Sequence, residues 1–389
     1  MAHAASAEPM TGRAIVCHGP VRDGKWKIEN VRLRPINENE LVVKIVASGI
    51  CHTDLVVADA EEGFGVFYPS IKGHEGAGYV QQIGSKVTVA QPGDPVLLSF
   101  TFCATCALCT SGHPAHCIKF NEINIFGGED KDFSLVSSDT DAEPQISGGF
   151  FGQSSFASMS VVSERSVVNV KGLLNDDELK MFAPLGCGIQ TGSGSIVNVA
   201  AATPEDTVAI IGVGGVGMSA VMAAKMRGCR TIIAIDRVES RLELAKQLGA
   251  TNAINTATMA SLDEVVPAVT ELTEGMGSSI TVDTTGFLPL IQKSIDFTRP
   301  RGKILQIGVA PMDGKLEIPA MLFMVTGKQY IGVIEGDVVP SKYVPEMIRW
   351  YREGIFPVDR IVKFFKAEEF EKAIHEMHTG GTVKPVIVW

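Results

Sequence analysis

Four cysteines, Cys103, Cys106, Cys109 and Cys117, lie within fifteen residues as C-x2-C-x2-C-x7-C. Thiolates at this spacing close a tetrahedron around one Zn2+, filling every coordination position and pinning a loop too short to bury a core of its own. A metal with no open position is structural. Half of the chain's eight cysteines fall here, which makes four unrelated packing thiols a poor account. Iron fits the same tetrahedron, so the thiols alone leave the metal's identity open.

Three other segments carry ligand-type residues: Cys51, His52, Thr53 and Asp54 in GICHTDL, His74 and Glu75 in GHEGAG, and Cys187 in PLGCGIQTG. A catalytic zinc takes about three protein ligands and keeps one position vacant, and Cys51, His74 and Cys187 supply two thiolates and an imidazole. Two thiolates neutralise the dication, so a bound alcohol loses its proton more easily while the metal remains a moderate Lewis acid. Taken singly, each of these residues is as ordinary as any packing or turn residue. Cys17 and Cys229 lack such partners and read as buried thiols.

The segment AIIGVGGVGMSAV places Gly212, Gly214 and Gly217 as G-x-G-x-x-G between an expected strand and an expected helix. The first glycine permits a tight turn, the second lets backbone approach a pyrophosphate, and the third lets the helix pack on the sheet. The helix amino terminus then faces the phosphates. The next strand, TIIAID, ends in Asp236, twenty-four residues after the first glycine, where an acid bonds both ribose hydroxyls and repels a 2'-phosphate. NAD is therefore favoured over NADP, with the adjacent Arg237 softening the discrimination. The plainer reading of Asp236 is a helix cap before SRLELAKQLG.

The elements that must position these groups divide along the chain. From Glu40 to about Phe100, short alternating runs broken by Gly, Pro and Asp predict a strand-and-turn domain with the cysteine cluster as an insertion. Residues 121–149 are polar and glycine-rich and predict a long surface loop near the site. From Thr207, the runs TVAIIG, TIIAID, SSITVDTTG and KILQIGV alternate with MSAVMAAKMRG and RLELAKQLG, which predicts a doubly wound parallel sheet. After Tyr330, the amphipathic stretches YVPEMIRWYREG and AEEFEKAIHEMH and a closing strand PVIVW are expected to return to the first domain. Boundaries follow: a catalytic domain over 1–188 with its metal lobe at 100–119, a nucleotide-binding domain over 189–331, and the return over 332–389.

At 389 residues, 45% hydrophobic and 20% charged, the chain is long enough for two packed domains. A formal charge of -10 without a basic run argues against nucleic acid and anionic membrane as partners and favours a small or neutral substrate. MAHAASAEP has neither the apolar core of a signal peptide nor the arginines of a transit peptide, and no apolar stretch reaches spanning length. With clustered thiols, this gives a cytoplasmic expectation.

GICHTD, GHEGAG, the four-cysteine lobe, PLGCGIQTG and GVGGVG occur in the order of the zinc-containing medium-chain alcohol dehydrogenases, and the chain resembles that family over nearly its whole length. Within the family it is most similar to the aryl and allylic alcohol branch. The resemblance implies an α/β fold, a Rossmann domain plus a mainly β, GroES-like catalytic domain, and two Zn2+ per chain. Cys51, His74 and Cys187 would bind the catalytic zinc, and the lobe cysteines the structural one. Thr53 matches the hydroxyl that accepts the substrate proton, His52 the basic position beside the pyrophosphate, and Asp54 the partner that orients His74. Glu75 matches an acid behind the metal. Thr191 and Val216 match positions on the nicotinamide, Lys384 a residue reaching the cofactor phosphates, and Gly215 and Arg241 further cofactor contacts. A homodimer or homotetramer, joined through the nucleotide-binding domain, is also implied.

One departure stands out. Many family members end the proton relay in a histidine five positions beyond the first cysteine, where this chain has Val56, so the relay must end in water or another group. Phe150 and Phe151 in SGGFFGQSSF match a pocket-lining stretch, with Phe100 or Phe102 adding to the wall. Together they favour a flat, apolar primary alcohol. The expected reaction is reversible oxidation of an aryl or allylic alcohol, Thr53 taking the proton and NAD+ the hydride. A reductase of a conjugated C=C or C=N bond on the same scaffold is the alternative, and an idle NAD-binding protein is a third; both predict a decayed relay or metal site, whereas the ligands and Thr53 are intact.

Overall fold

The computed structural model describes residues 10–61, 66–126, 133–135 and 145–389. Between Thr207 and Gly332 the apolar runs form a six-stranded sheet in the order Asn252–Asn255, Thr231–Asp236, Thr207–Ile211, Ser278–Asp283, Thr298–Gln306, Gln329–Gly332, with every pairing parallel. The central strands are buried almost end to end, as TVAII and TIIAID show. Helices on both faces leave no residue to alternate toward water, so such strands read as continuous apolar runs. The strand order reverses beside Thr207–Ile211, and in doubly wound sheets a ligand crevice opens at that point.

The catalytic half is mainly β. One sheet runs Val167–Asn169, Pro95–Leu98, Gly76–Ile83, Glu40–Gly49, Lys384–Val388, Val362–Lys366, with Met159–Ser163 also paired to Glu40–Gly49. The closing strand Lys384–Val388 lies antiparallel to Glu40–Gly49, and Ile50 N donates to Pro385 O at 2.9 Å, so the chain's end is built into the sheet that leads to Cys51. A second sheet runs Ser70–Ile71, Thr11–Cys17, Trp26–Leu33, Phe133–Leu135, Gln145–Ile146.

Two local expectations are corrected. Residues 121–149 are not a plain surface loop where the structure describes them: Phe120–Asn124 is helical, and Phe133–Leu135 and Gln145–Ile146 pair as strands. The reason is apolar: Phe133 and Ile146 are buried in the core of the second sheet, which the polar composition around them conceals. The rest of that segment lies outside the described residues. The strand-and-turn region also contains a helix, His52–Ala58, whose first turn is closed by Asp54.

The two halves meet through the helix Gly188–Gly194, which begins immediately after Cys187 and continues through a π-helical turn at Ser195–Val199. It packs against the glycine-motif helix Gly215–Met226 at a point where a Cβ on Gly192 would lie 2.0 Å from Val216 O. A methyl there would push the helices apart, so the glycines of GIQTGSG serve backbone approach.

Candidate active site and metal centres

Cys51, His74, Glu75 and Cys187 converge from three segments, and one ligand atom from each lies within 4.8 Å of the others. Asp54 organises the group. Its Oδ2 accepts Cys51 N at 2.9 Å, and its Oδ1 accepts Gly73 N at 3.0 Å and His74 Nδ1 at 2.7 Å. With Nδ1–H given to Asp54, the Nε2 lone pair of His74 faces the thiols, and Nε2 is a buried atom without a hydrogen-bond partner among the described residues. An imidazole nitrogen orphaned beside two sulfurs is the donor set a tetrahedral zinc requires, so the residues fit the metal. Between the two thiols, the hydrogen bond with Cys187 holds Cys51 well below the usual thiol range, and the same bond, with burial, pushes Cys187 up.

Glu75 closes the back of the cluster. Its Oε1 accepts Gly188 N at 3.0 Å and Lys384 Nζ at 2.6 Å, and Lys384 Nζ also donates to Ile50 O at 3.1 Å. Burial pushes Glu75 up to about 7, partly offset by Lys384. A Cβ on Gly49 would lie 2.0 Å from Glu75 Oε2, so this carboxylate occupies space only a glycine leaves free. Lys384, expected at the cofactor phosphates, is thus ion-paired behind the metal cluster, with its Cδ 3.4 Å from where a Cβ on Gly215 would stand.

Thr53 Oγ1 lies 3.8 Å from Cys51 Sγ, next to the metal cluster. His52 is exposed at the amino end of its helix, edge-on to His378 with ring centroids 5.5 Å apart. Burial, then the neighbouring His52, His375 and Arg241, lower the His378 pKa. Arg241 donates to Met377 O at 2.6 Å, fixing the end of helix Phe370–Thr379 to the nucleotide side. Val56 is 43% exposed.

In the glycine motif, Gly212 has φ +80, a turn conformation that side chains rarely adopt. A Cβ on Gly217 would meet Gly212 O at 1.9 Å, whereas one on Gly214 would meet nothing within 4 Å. The third glycine therefore serves packing, and the second faces open space. Asp236 is buried and accepts Val213 N at 2.8 Å, Arg237 N at 2.7 Å and Val238 N at 2.9 Å. Asp236 thus braces the turn before the next helix and ties it to the glycine loop at Val213.

His74 sits in an aromatic pocket, its ring stacked on Phe151 at 4.4 Å and edge-on to Phe150 at 5.5 Å. Phe100 is fully buried against Phe102 and Phe120 and belongs to the core. Phe120 in turn meets Phe151 edge-on at 6.0 Å. Lys72 Nζ lies 5.2 Å from the Phe150 ring, and burial lowers its pKa to about 8.

The sulfurs of Cys103, Cys106, Cys109 and Cys117 also lie within 4.8 Å of one another, and all eight cysteines are free thiols. Backbone N–H groups point at them: Cys103 N to Cys117 Sγ at 3.4 Å, Cys106 N to Cys103 Sγ at 3.4 Å and Cys109 N to Cys106 Sγ at 3.5 Å. Donors aimed at sulfur favour the thiolate; backbone and hydroxyl bonds from Thr105 lead in bringing Cys103 down to about 5. Cys17 and Cys229 are buried apart from both clusters, each pushed up to about 11 by burial.

Glu335, absent from the sequence-based site, is buried with Oε2 accepting Gln190 Nε2 at 2.9 Å and Thr191 Oγ1 at 3.4 Å. Gln190 and Thr191 stand three and four residues after Cys187, so Gln190 was within reach of a sequence argument. Nothing around VIEGDVV marks Glu335.

A profile described as an alcohol dehydrogenase GroES-like domain matches residues 37–172, and one described as a zinc-binding dehydrogenase matches residues 215–353. Geraniol dehydrogenase of Castellaniella defragrans is 35% identical over 94% of this chain and 95% of its own length. The crystal structure of an alcohol dehydrogenase zinc-binding domain protein from Burkholderia ambifaria is 36% identical with a TM-score of 0.89, covering 98% of this chain and 99% of that one. Benzyl alcohol dehydrogenase from Acinetobacter calcoaceticus is 36% identical with a TM-score of 0.87, covering 97% and 99%.

Proposed function

Since the chain belongs to the zinc-containing medium-chain alcohol dehydrogenases, we propose that it oxidises a primary aryl or allylic alcohol reversibly to the aldehyde with NAD as hydride acceptor. The observation that carries this reading is His74 Nε2, buried and unpartnered between Cys51 and Cys187, with the Thr53 hydroxyl beside Cys51. When bound, the zinc supplies Lewis-acid polarisation of the alcohol oxygen and the nicotinamide accepts the hydride.

The chain's own residues do the rest. Asp54 fixes the His74 tautomer and seats Cys51 through its backbone. Thr53 takes the hydroxyl proton and passes it toward solvent, since Val56 offers no further acceptor. Gly214 and Gly215, with the amino end of helix Gly215–Met226, receive the pyrophosphate, and Thr191 and Val216 bear on the nicotinamide. The charge of Asp236 at the glycine loop opposes a 2'-phosphate, which supports NAD over NADP.

Substrate class follows from the wall around His74. Phe150 and Phe151 offer flat apolar area beside the reacting centre, which suits a conjugated or aromatic alcohol. The names of two relatives, a geraniol and a benzyl alcohol dehydrogenase, point to the same allylic and aryl chemistry.

A homo-oligomer belongs to the same proposal. The edge strand Gln329–Gly332 is paired on one side, to Thr298–Gln306, and the preceding helix Ala320–Thr326 exposes Met321, Met324 and Val325. An open strand edge beside exposed apolar side chains favours a second copy there. The free thiols suit a reducing cytoplasm, and among the described residues no helix is long and apolar enough to cross a membrane.

Steady-state turnover with NAD+ and NADP+ across benzylic, allylic and aliphatic alcohols tests the proposal. Preferential NAD+-dependent oxidation of the first two classes supports it. No turnover of any alcohol or aldehyde by the zinc-loaded protein defeats it in favour of a conjugated-bond reductase.

A further inference from the structure

Beyond the edge strand Gln329–Gly332, the chain makes a turn at Glu335–Gly336–Asp337 in which all three residues have positive φ, +51, +65 and +50. Residues with a Cβ rarely adopt this conformation, and Glu335 and Asp337 hold it on either side of one glycine. Such geometry persists only where surrounding contacts over-determine it. The contacts here run in two directions.

Toward the reaction centre, Glu335 is 4% exposed and its Oε2 accepts from Gln190 Nε2 and Thr191 Oγ1. The turn is pressed onto the same helix: a Cβ on Gly336 would lie 2.5 Å from Gln190 O, and one on Gly194 2.6 Å from Gly336 O. Gln190 Nε2 also reaches Gly186 O at 2.7 Å, spanning the peptide either side of Cys187. Toward the four-cysteine lobe, Asp337 Oδ2 meets His113 Nδ1 at 2.8 Å, and Oδ1 lies 4.0 Å from His116 Nε2. His113 and His116 sit between Cys109 and Cys117.

One strained turn therefore contacts both the segment that follows Cys187 and the four-cysteine lobe, through the two acidic side chains that flank Gly336. We propose that Glu335 is a positioning residue for the reaction centre, holding the segment Cys187–Thr191 in register through Gln190 and Thr191, and that Asp337 fixes Glu335 by anchoring the turn to the cysteine lobe at His113. The part concerning Thr191 rests on the nicotinamide reading above; the part concerning Cys187 does not. A single hydroxyl bonded to a buried carboxylate stays in one rotamer, and a ligand-bearing loop tied on both sides of its cysteine cannot drift from the metal.

The test uses the full-length protein with zinc in the lobe and Co2+ at the catalytic site, whose thiolate-to-cobalt absorption reports the Cys51 and Cys187 geometry without turnover. NADH affinity, read by fluorescence, reports the Thr191 side. Glu335→Ala is expected to shift and broaden the absorption and to weaken NADH about tenfold, the effect of losing one buried hydrogen bond. Glu335→Gln keeps an acceptor oxygen and restores most of both. His113→Ala, at a half-exposed site, moves both readouts the same way by less, with both metals retained.

An unchanged absorption in Glu335→Ala overturns the proposal, as does a Glu335→Gln protein no better than the alanine variant. Should Glu335→Ala not fold, His113→Ala decides: an unaltered absorption there overturns the link to the lobe. A parent protein that binds no NADH sinks the cofactor reading while the absorption still judges Glu335 and Cys187.

Discussion

Lys384 and Glu75 form a buried ion pair with 2.6 Å between Nζ and carboxylate, although 309 residues separate them. The closing strand delivers Lys384 to the back of the metal cluster, where Glu75 also accepts Gly188 N, the first residue after Cys187. The pair thus ties the chain's end to the ligand loop.

Removing one member strands the other's charge in a dry site. Lys384→Met is expected to cost about 3 to 5 kcal/mol in denaturation measurements. Adding Glu75→Gln should recover more than half of that, because the uncompensated charge goes too. Additive losses in the double variant would show that the two side chains act independently.

The Thr53 hydroxyl lies 3.8 Å from Cys51 Sγ. Thr53→Ala should lower kcat for alcohol oxidation about 100-fold or more, the scale of a lost acid–base group, while Thr53→Ser stays within about tenfold of the parent. Val56 is solvent-exposed on the same helix, so Val56→His adds a proton acceptor without disturbing the core. The pH profile of turnover should change in that variant; an unchanged profile counts against a relay that ends in water.

The glycine motif separates packing from binding. Gly217→Ala forces a methyl against Gly212 O and should destabilise the nucleotide-binding half, visible as a lower Tm without any ligand. Gly214→Ala meets no atom of the described residues within 4 Å, so the Tm should hold while the KM for NAD+ rises. Equal effects of both changes on Tm would contradict this division.

Lys72 is buried beside Phe150 with its pKa lowered by burial from 10.5 to about 8. The unfolded chain therefore binds more protons than the folded one between those values, and stability rises with pH across that window. The penalty is fully present below about pH 8 and corresponds to about 3 kcal/mol. Lys72→Met should raise the Tm at pH 7, with the gap closing as pH approaches 10.5. A gap that stays constant would mean that the ammonium is compensated in the fold.

What was legible in the sequence was whatever short spacing encodes. The four lobe cysteines, the G-x-G-x-x-G turn and the alternating apolar runs each carry their geometry within a few dozen residues, because strand, turn and helix periods are local. Cys51, His74 and Cys187 were legible only through their motifs, since no local rule says that three distant segments converge. The Lys384 pairing with Glu75, the Glu335 contacts and the core position of Phe100 depend on tertiary closure. Phe133 and Ile146 were hidden for another reason: two short strands inside a polar segment give too few alternations to reveal a period.

Zinc stoichiometry and alcohol turnover, measured together on the parent and on Cys187→Ser, bear most directly on the reaction centre. The parent is expected to hold two zincs and to oxidise alcohol with NAD+, and the variant to fold, keep the lobe zinc and lose both the second zinc and turnover. A Cys187→Ser protein that retains two zincs and full alcohol turnover would contradict the placement of the reaction at Cys51, His74 and Cys187.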